Sequence, residues 1–207
     1  AAGLIVGFCA RVGEVDVRLA ATGPNSSDLV EKAADIAREV ASKYIYGEED
    51  ESLEQKIVEF LTARGESLAL AESCTGGYIG HRITNVPGAS VVLLCGLVTY
   101  SNESKQKLLG VHESTLTENG SVSGAVAKEM AEGALRESGA DYAISVTGIA
   151  GPTGGTPEKP LGTVYIALAS RKGTSVKHRI NAFDRETFKF VTAQQALELL
   201  RRELLAS

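Results

Sequence analysis

Leu68-Ala69-Leu70-Ala71-Glu72-Ser73-Cys74-Thr75-Gly76-Gly77-Tyr78-Ile79-Gly80-His81-Arg82-Ile83-Thr84-Asn85 reads as a short strand, a turn of small polar residues and a helix. The strand covers residues 68–72. Gly76 and Gly77 permit a sharp turn and leave backbone N–H groups at the start of a helix over residues 75–85. Two more segments place a turn where an apolar run stops. They are Thr99-Tyr100-Ser101-Asn102-Glu103-Ser104-Lys105 and Ser145-Val146-Thr147-Gly148-Ile149-Ala150-Gly151-Pro152. In an α/β protein, such strand ends open onto a binding crevice.

The pattern continues outward from that stretch. Leu53, Ile57, Val58 and Leu61 fall on one helical face. Residues 91–100 are almost continuously apolar and broken by Gly96, which predicts a buried strand pair or one bent strand. A short helix is expected over 102–109, ending at Gly110. A longer one, capped by Ser121 or Ser123, runs to about 138. A strand follows at 141–146, then a Gly/Pro loop over 147–160. Strands at 162–170 and 175–182 and a closing helix over 185–205 complete the set. Mostly alternating helix and strand with a late hairpin predicts a three-layer α/β/α sandwich with a mixed sheet.

Residues 1–50 have a different texture. Strands are expected at 4–6 and 14–20, then a helix capped within Asn25-Ser26-Ser27-Asp28, then a short strand at Tyr44-Ile45-Tyr46. Gly47-Glu48-Glu49-Asp50-Glu51 is the expected boundary between this small α+β segment and a domain over 51–207.

Bulk properties narrow the function classes. The chain has 207 residues, 43% of them hydrophobic, enough for a sizeable core. Its net charge of -5 argues against a nucleic-acid surface, which is usually basic. No apolar run approaches the roughly 20 residues of a membrane helix. Residues 1–10 are too short and too uncharged at the front to read as a signal peptide. Cys9, Cys74 and Cys95 are odd in number and widely spaced, which suits a reducing cytoplasm. No ligand pattern for a metal is present, and no cofactor is expected.

The candidate chemistry lies in the three turns. Ser73 sits at the mouth of a turn whose N–H groups suit an oxyanion or a phosphate. It reads as a nucleophile, while the plainer local reading makes Ser73 or Thr75 a helix cap. Cys74 is the rival nucleophile, but His81 stands two turns away and no cation adjoins it in sequence. Lys105, in the first turn of a helix, is either a solvated lysine or a base for the serine. Tyr100 is placed to hold that lysine or relay its proton. The loop after Gly148 lacks both the phosphate-loop and the dinucleotide signatures. Arg185 either pairs bidentately with a phosphate or belongs to a charged first turn.

The runs Glu-Ser-Cys-Thr-Gly-Gly, Thr-Tyr-Ser-Asn-Glu-x-Lys and Thr-Gly-Ile-Ala-Gly-Pro, in this order and spacing, resemble the carboxy-terminal domain of the CinA family. That domain is the nicotinamide mononucleotide deamidase, also called PncC. The resemblance begins near Ser52. It implies a metal-independent amidohydrolase that converts nicotinamide mononucleotide to nicotinic acid mononucleotide and ammonia. It implies Ser73 as nucleophile, Lys105 as base and Tyr100 in support. Thr75, Gly76, Gly77, Thr147, Gly148 and Arg185 fall on the substrate side, and a homodimer is expected. Residues 1–50 resemble the second half of a KH-like linking domain, so the chain is expected to be part of a longer protein. An RNA role is not favoured, because Thr22-Gly23-Pro24-Asn25 is not a basic clamp. A silent mononucleotide-binding or dimerisation module is the alternative. One departure stands out: Phe183 replaces the glycine usual before Asp-Arg, and Lys189 stands where arginine is common.

Overall fold

A computed structural model describes residues 3–206, which divide into two compact units between Ser52 and Leu53.

The first unit is a hairpin with a helix. Strands β1 (Gly3–Arg11) and β2 (Glu14–Thr22) pair antiparallel from Gly3↔Thr22 to Arg11↔Glu14. Val12-Gly13 makes the two-residue turn, and Gly13 takes the positive φ of 84° that such a turn requires. Helix α1 (Ser26–Ala41) packs on β2. Asn25 takes the N-cap position as expected, but with a left-handed backbone (φ 70°) and no side-chain cap bond. One expectation fails here. Residues 44–46 form no strand. The Tyr44 and Ile45 N–H groups instead donate to the Ala41 carbonyl and close the helix end.

The second unit is a three-layer sandwich. Its sheet comprises β3 (Leu68–Glu72), β4 (Leu93–Val98), β5 (Tyr142–Gly148), β6 (Thr163–Ser170) and β7 (Gly173–Ile180). The order is β4-β3-β5-β6-β7, parallel among the first three and antiparallel beyond. Helices α4 (Asn102–Leu109), α5 (Glu113–Asn119) and α6 (Gly124–Ser138) cover one face. Helices α2 (Leu53–Arg64), α3 (Tyr78–Thr84) and α7 (Arg185–Ala206) cover the other. The four apolar residues foreseen on one face of α2 are the four it buries, each worth about 1.5–3 kcal/mol. Among the described residues, no helix is long and apolar enough to cross a membrane.

Three boundaries moved. Of the two readings of residues 91–100 the single strand holds, but it is an edge strand, β4, preceded by a 3-10 turn (Ala89–Val91). Cys95 and Leu97 face the core, whereas Leu94 and Val98 stay half exposed because the sheet ends there. Helix α3 starts only at Tyr78, because Gly76 (φ 63°) and Gly77 (φ 94°) are left-handed and finish the turn first. Strand β5 runs on to Gly148, so Thr147 and Gly148 belong to the sheet rather than to the loop.

Candidate active site

The chain leaves β3 for β4 on one side, then crosses back over β3 to β5 on the other. That reversal is a switch point, where strand carboxyl ends splay and leave a crevice. Ser73 follows β3, Thr99 and Tyr100 follow β4, and Gly148 ends β5. All three sequence turns therefore meet at one end of the sheet.

Lys105 lies in the first turns of α4, which is capped where Ser101 Oγ accepts from the Ser104 N–H (3.1 Å). Its side chain is 1% exposed and runs back to the strand ends. There its Nζ donates to Ser73 Oγ (3.0 Å), to the Thr99 carbonyl (2.8 Å) and to the Tyr100 carbonyl (3.3 Å). Burial pushes the Lys105 amine below the ordinary lysine value. The arrangement serves both protonation states. As an ammonium, its three N–H bonds match three acceptors. As an amine, two N–H bonds stay on the carbonyls and the lone pair faces the serine hydroxyl. Such a pair can remove the proton of a serine as it attacks an electrophile.

Ser73 is held on both sides. Its N–H donates to the Val146 carbonyl (3.0 Å), and its own carbonyl accepts from Gly76 N–H (3.1 Å). Cys74 beside it is buried, and burial pushes its thiol up to about 12. A thiol so seldom ionised is a poor nucleophile at neutral pH.

Tyr100 holds Lys105 through its carbonyl rather than its hydroxyl. Its hydroxyl accepts from Arg185 Nη2 (2.9 Å), and Arg185 Nη1 donates to the Gly151 carbonyl (2.9 Å). Arg185 thus ties the end of β4 to the Gly/Pro loop at an exposed position. Asp184 caps α7 by accepting from the Glu186 and Thr187 N–H groups and the Thr187 hydroxyl. These bonds hold its carboxyl below the usual range. Phe183 keeps φ negative and points largely to solvent, so the backbone at this position does not require glycine.

The other candidates also hold the fold around the site. Thr75 donates its hydroxyl to Glu72 Oε2 (2.6 Å), and the Gly77 N–H donates to the same oxygen (3.0 Å). Thr147 donates to the Ser121 carbonyl (2.7 Å) and anchors the segment before α6. A Cβ at Gly148 would lie 2.8 Å from the Thr163 carbonyl, so glycine there answers to packing against β6. Sequence reasoning passed over Glu72, a buried carboxylate that also accepts from the Ile79 (3.1 Å) and Gly80 (2.8 Å) N–H groups. The available signal was a carboxylate ending a wholly apolar strand, since a buried charge needs partners. Among the described residues, no cluster of three or more His, Cys, Asp or Glu side chains is placed to hold a metal ion.

The CinA C-terminal domain family matches residues 50–204. The chain belongs to the CinA family. A CinA-like protein of Geotalea uraniireducens is 44% identical over 209 residues, covering 100% of this chain and 50% of that relative. The chain thus spans about half the length of the curated relatives it matches. The crystal structure of the competence/damage inducible protein CihA from Agrobacterium tumefaciens superposes with a TM-score of 0.70 at 42% identity, covering 74% of this chain and 93% of that one. A CinA superfamily protein from Klebsiella pneumoniae gives 0.72 at 34% identity, over 75% and 97%. CinA membership accounts for the five-stranded mixed sheet and its helices, which these structures share.

Proposed function

We propose that this CinA domain hydrolyses the carboxamide of nicotinamide mononucleotide, giving nicotinic acid mononucleotide and ammonia. The observation that carries the reading is the buried Lys105 Nζ 3.0 Å from Ser73 Oγ. In the reaction, neutral Lys105 accepts the Ser73 proton as Oγ bonds to the amide carbon. The tetrahedral oxyanion needs N–H donors. Gly76 and Gly77 are already committed to Ser73 and Glu72, so they do not serve. The Cys74 and Thr75 N–H groups, whose acceptor is the weakly accepting Cys74 sulfur, are the remaining donors of the turn and take that role. The C–N bond then breaks, and ammonia leaves with the proton that Lys105 received. Water next adds to the acyl carbon, giving a proton to Lys105. Ser73 recovers that proton as the acid departs.

The cationic pyridinium withdraws electrons from the amide and lowers the demand on the base. Arg185 and Lys189, one helical turn apart on α7, present positive charge for the substrate phosphate. The test is ammonia release from nicotinamide mononucleotide with excess chelator, beside Ser73→Ala. Release lost in the mutant supports the reading. Release retained in the mutant removes Ser73, and no release by the folded wild type removes the substrate.

A further inference from the structure

Glu72 is unusual for its surroundings. It ends β3, the strand buried along its whole length, and is itself 2% exposed. A carboxylate taken out of water normally requires a cation or several donors. Among the described residues, no ion pair is formed by Glu72. Four hydrogen bonds surround it instead. Thr75 and the Gly77 and Ile79 N–H groups donate to Oε2, and the Gly80 N–H donates to Oε1. The backbone donors open α3, so the strand's own carboxylate neutralises the helix N-terminus.

The backbone of Glu72 reaches the other half of the pair. Its carbonyl accepts from the Thr99 N–H (2.8 Å), and the Thr99 carbonyl accepts from Lys105 Nζ (2.8 Å). One residue therefore ties α3 through its side chain and the lysine's anchor through its backbone. Ser73 lies between these two attachments. Its turn contains two left-handed glycines, which resist distortion weakly. The turn is also held by bonds from Ser73 N–H to the Val146 carbonyl, from Gly76 N–H to the Ser73 carbonyl and from His81 N–H to the Gly77 carbonyl.

We propose that Glu72 is a positioning residue that sets the Ser73 hydroxyl against Lys105. The proposal rests on the serine–lysine reading above. It makes Glu72 act through the turn and not on the substrate. A cap serving only the helix would move stability alone.

The experiment compares Glu72→Gln, Thr75→Val and Thr75→Ser with the wild type. It reads kcat and KM on nicotinamide mononucleotide, the pH profile, the unfolding midpoint, and the rate of Ser73 labelling by an alkyl fluorophosphonate. Glutamine keeps one oxygen for the Oε2 donors but not an acceptor for Gly80. Folded Glu72→Gln should lose about 10²-fold in kcat and in labelling rate, with KM and the pH profile unmoved. Thr75→Val, which removes the shortest of the four bonds, should lose about tenfold by the same displacement, and Thr75→Ser should return to wild type. Wild-type kcat and labelling in folded Glu72→Gln overturn the proposal, as does a lost limb of its pH profile, which would make Glu72 a proton donor or acceptor. Should Glu72→Gln not fold, the Thr75 pair decides: equal rates for valine and serine overturn the proposal. A wild type labelled at Ser73 but inactive on the mononucleotide removes the substrate, and labelling then tests the positioning. A wild type neither labelled nor active removes both.

Discussion

Replacing Lys105 with methionine should separate stability from turnover. Methionine matches the length of the lysine stem and fills irregular space easily. The change removes three hydrogen bonds, to Ser73 Oγ, the Thr99 carbonyl and the Tyr100 carbonyl. Tyr100 is exposed, so its carbonyl regains water; Thr99 is fully buried and loses its partner. One orphaned carbonyl and a poorly paired serine cost about 1–3 kcal/mol each. Against this, a charge-bearing group no longer has to leave water, which returns several kcal/mol. The two nearly cancel, leaving a net change within about 2 kcal/mol of zero. For a domain of this size that is a midpoint shift of about 4–8 °C at most. Turnover should fall by about 10³-fold or more, because the base is gone. Thermal unfolding by circular dichroism and ammonia release, measured on one preparation, check both halves. A midpoint lowered by more than about 15 °C would make Lys105 a structural pillar, since that exceeds the balance just drawn. Turnover within tenfold of wild type would remove it as the base.

Other outcomes follow from the same geometry. Burial holds Lys105 below the ordinary lysine value of 10.5, so between the two values the folded chain binds fewer protons than the unfolded one. Its contribution to stability therefore grows as pH rises through that window, and kcat/KM should rise with pH over a limb lying below 10.5. Lys105→Arg, charged throughout, should be inactive with no such limb, and a flat wild-type profile would speak against a lysine base. Arg185→Ala should raise KM for the mononucleotide about tenfold while affecting the riboside less, as loss of a phosphate partner requires. Equal losses on both substrates would show that Arg185 only ties Tyr100 to the Gly151 loop. Gly133→Ala places a Cβ 2.0 Å from the Leu109 carbonyl, where α6 meets the end of α4. It should cost about 3 kcal/mol or more in denaturant unfolding, and an unchanged midpoint would refute that close approach.

Much of the fold was legible because its signals are local. The apolar face of α2, the glycine that ends α4, and the strand–turn–helix around Ser73 each lie within a few turns of chain. Residues 44–46 misled because β-rich composition says nothing about whether a partner strand stands alongside. Residues 91–100 misled in the same way: an apolar run looks identical at a sheet's centre and at its edge. At Phe183 only the backbone angle shows that glycine's conformational freedom is not used there.

By itself the sequence determined the layers, the three turns and the residue types able to do chemistry, because patterning and turn chemistry act between near neighbours. It did not determine that Lys105 reaches Ser73 across thirty-two positions, that Tyr100 offers Lys105 its carbonyl while its hydroxyl meets Arg185, or that Glu72 is neutralised by a helix end. Those were decided by tertiary structure, because strand order sets which chain ends meet, and only there does burial fix which polar groups must find each other.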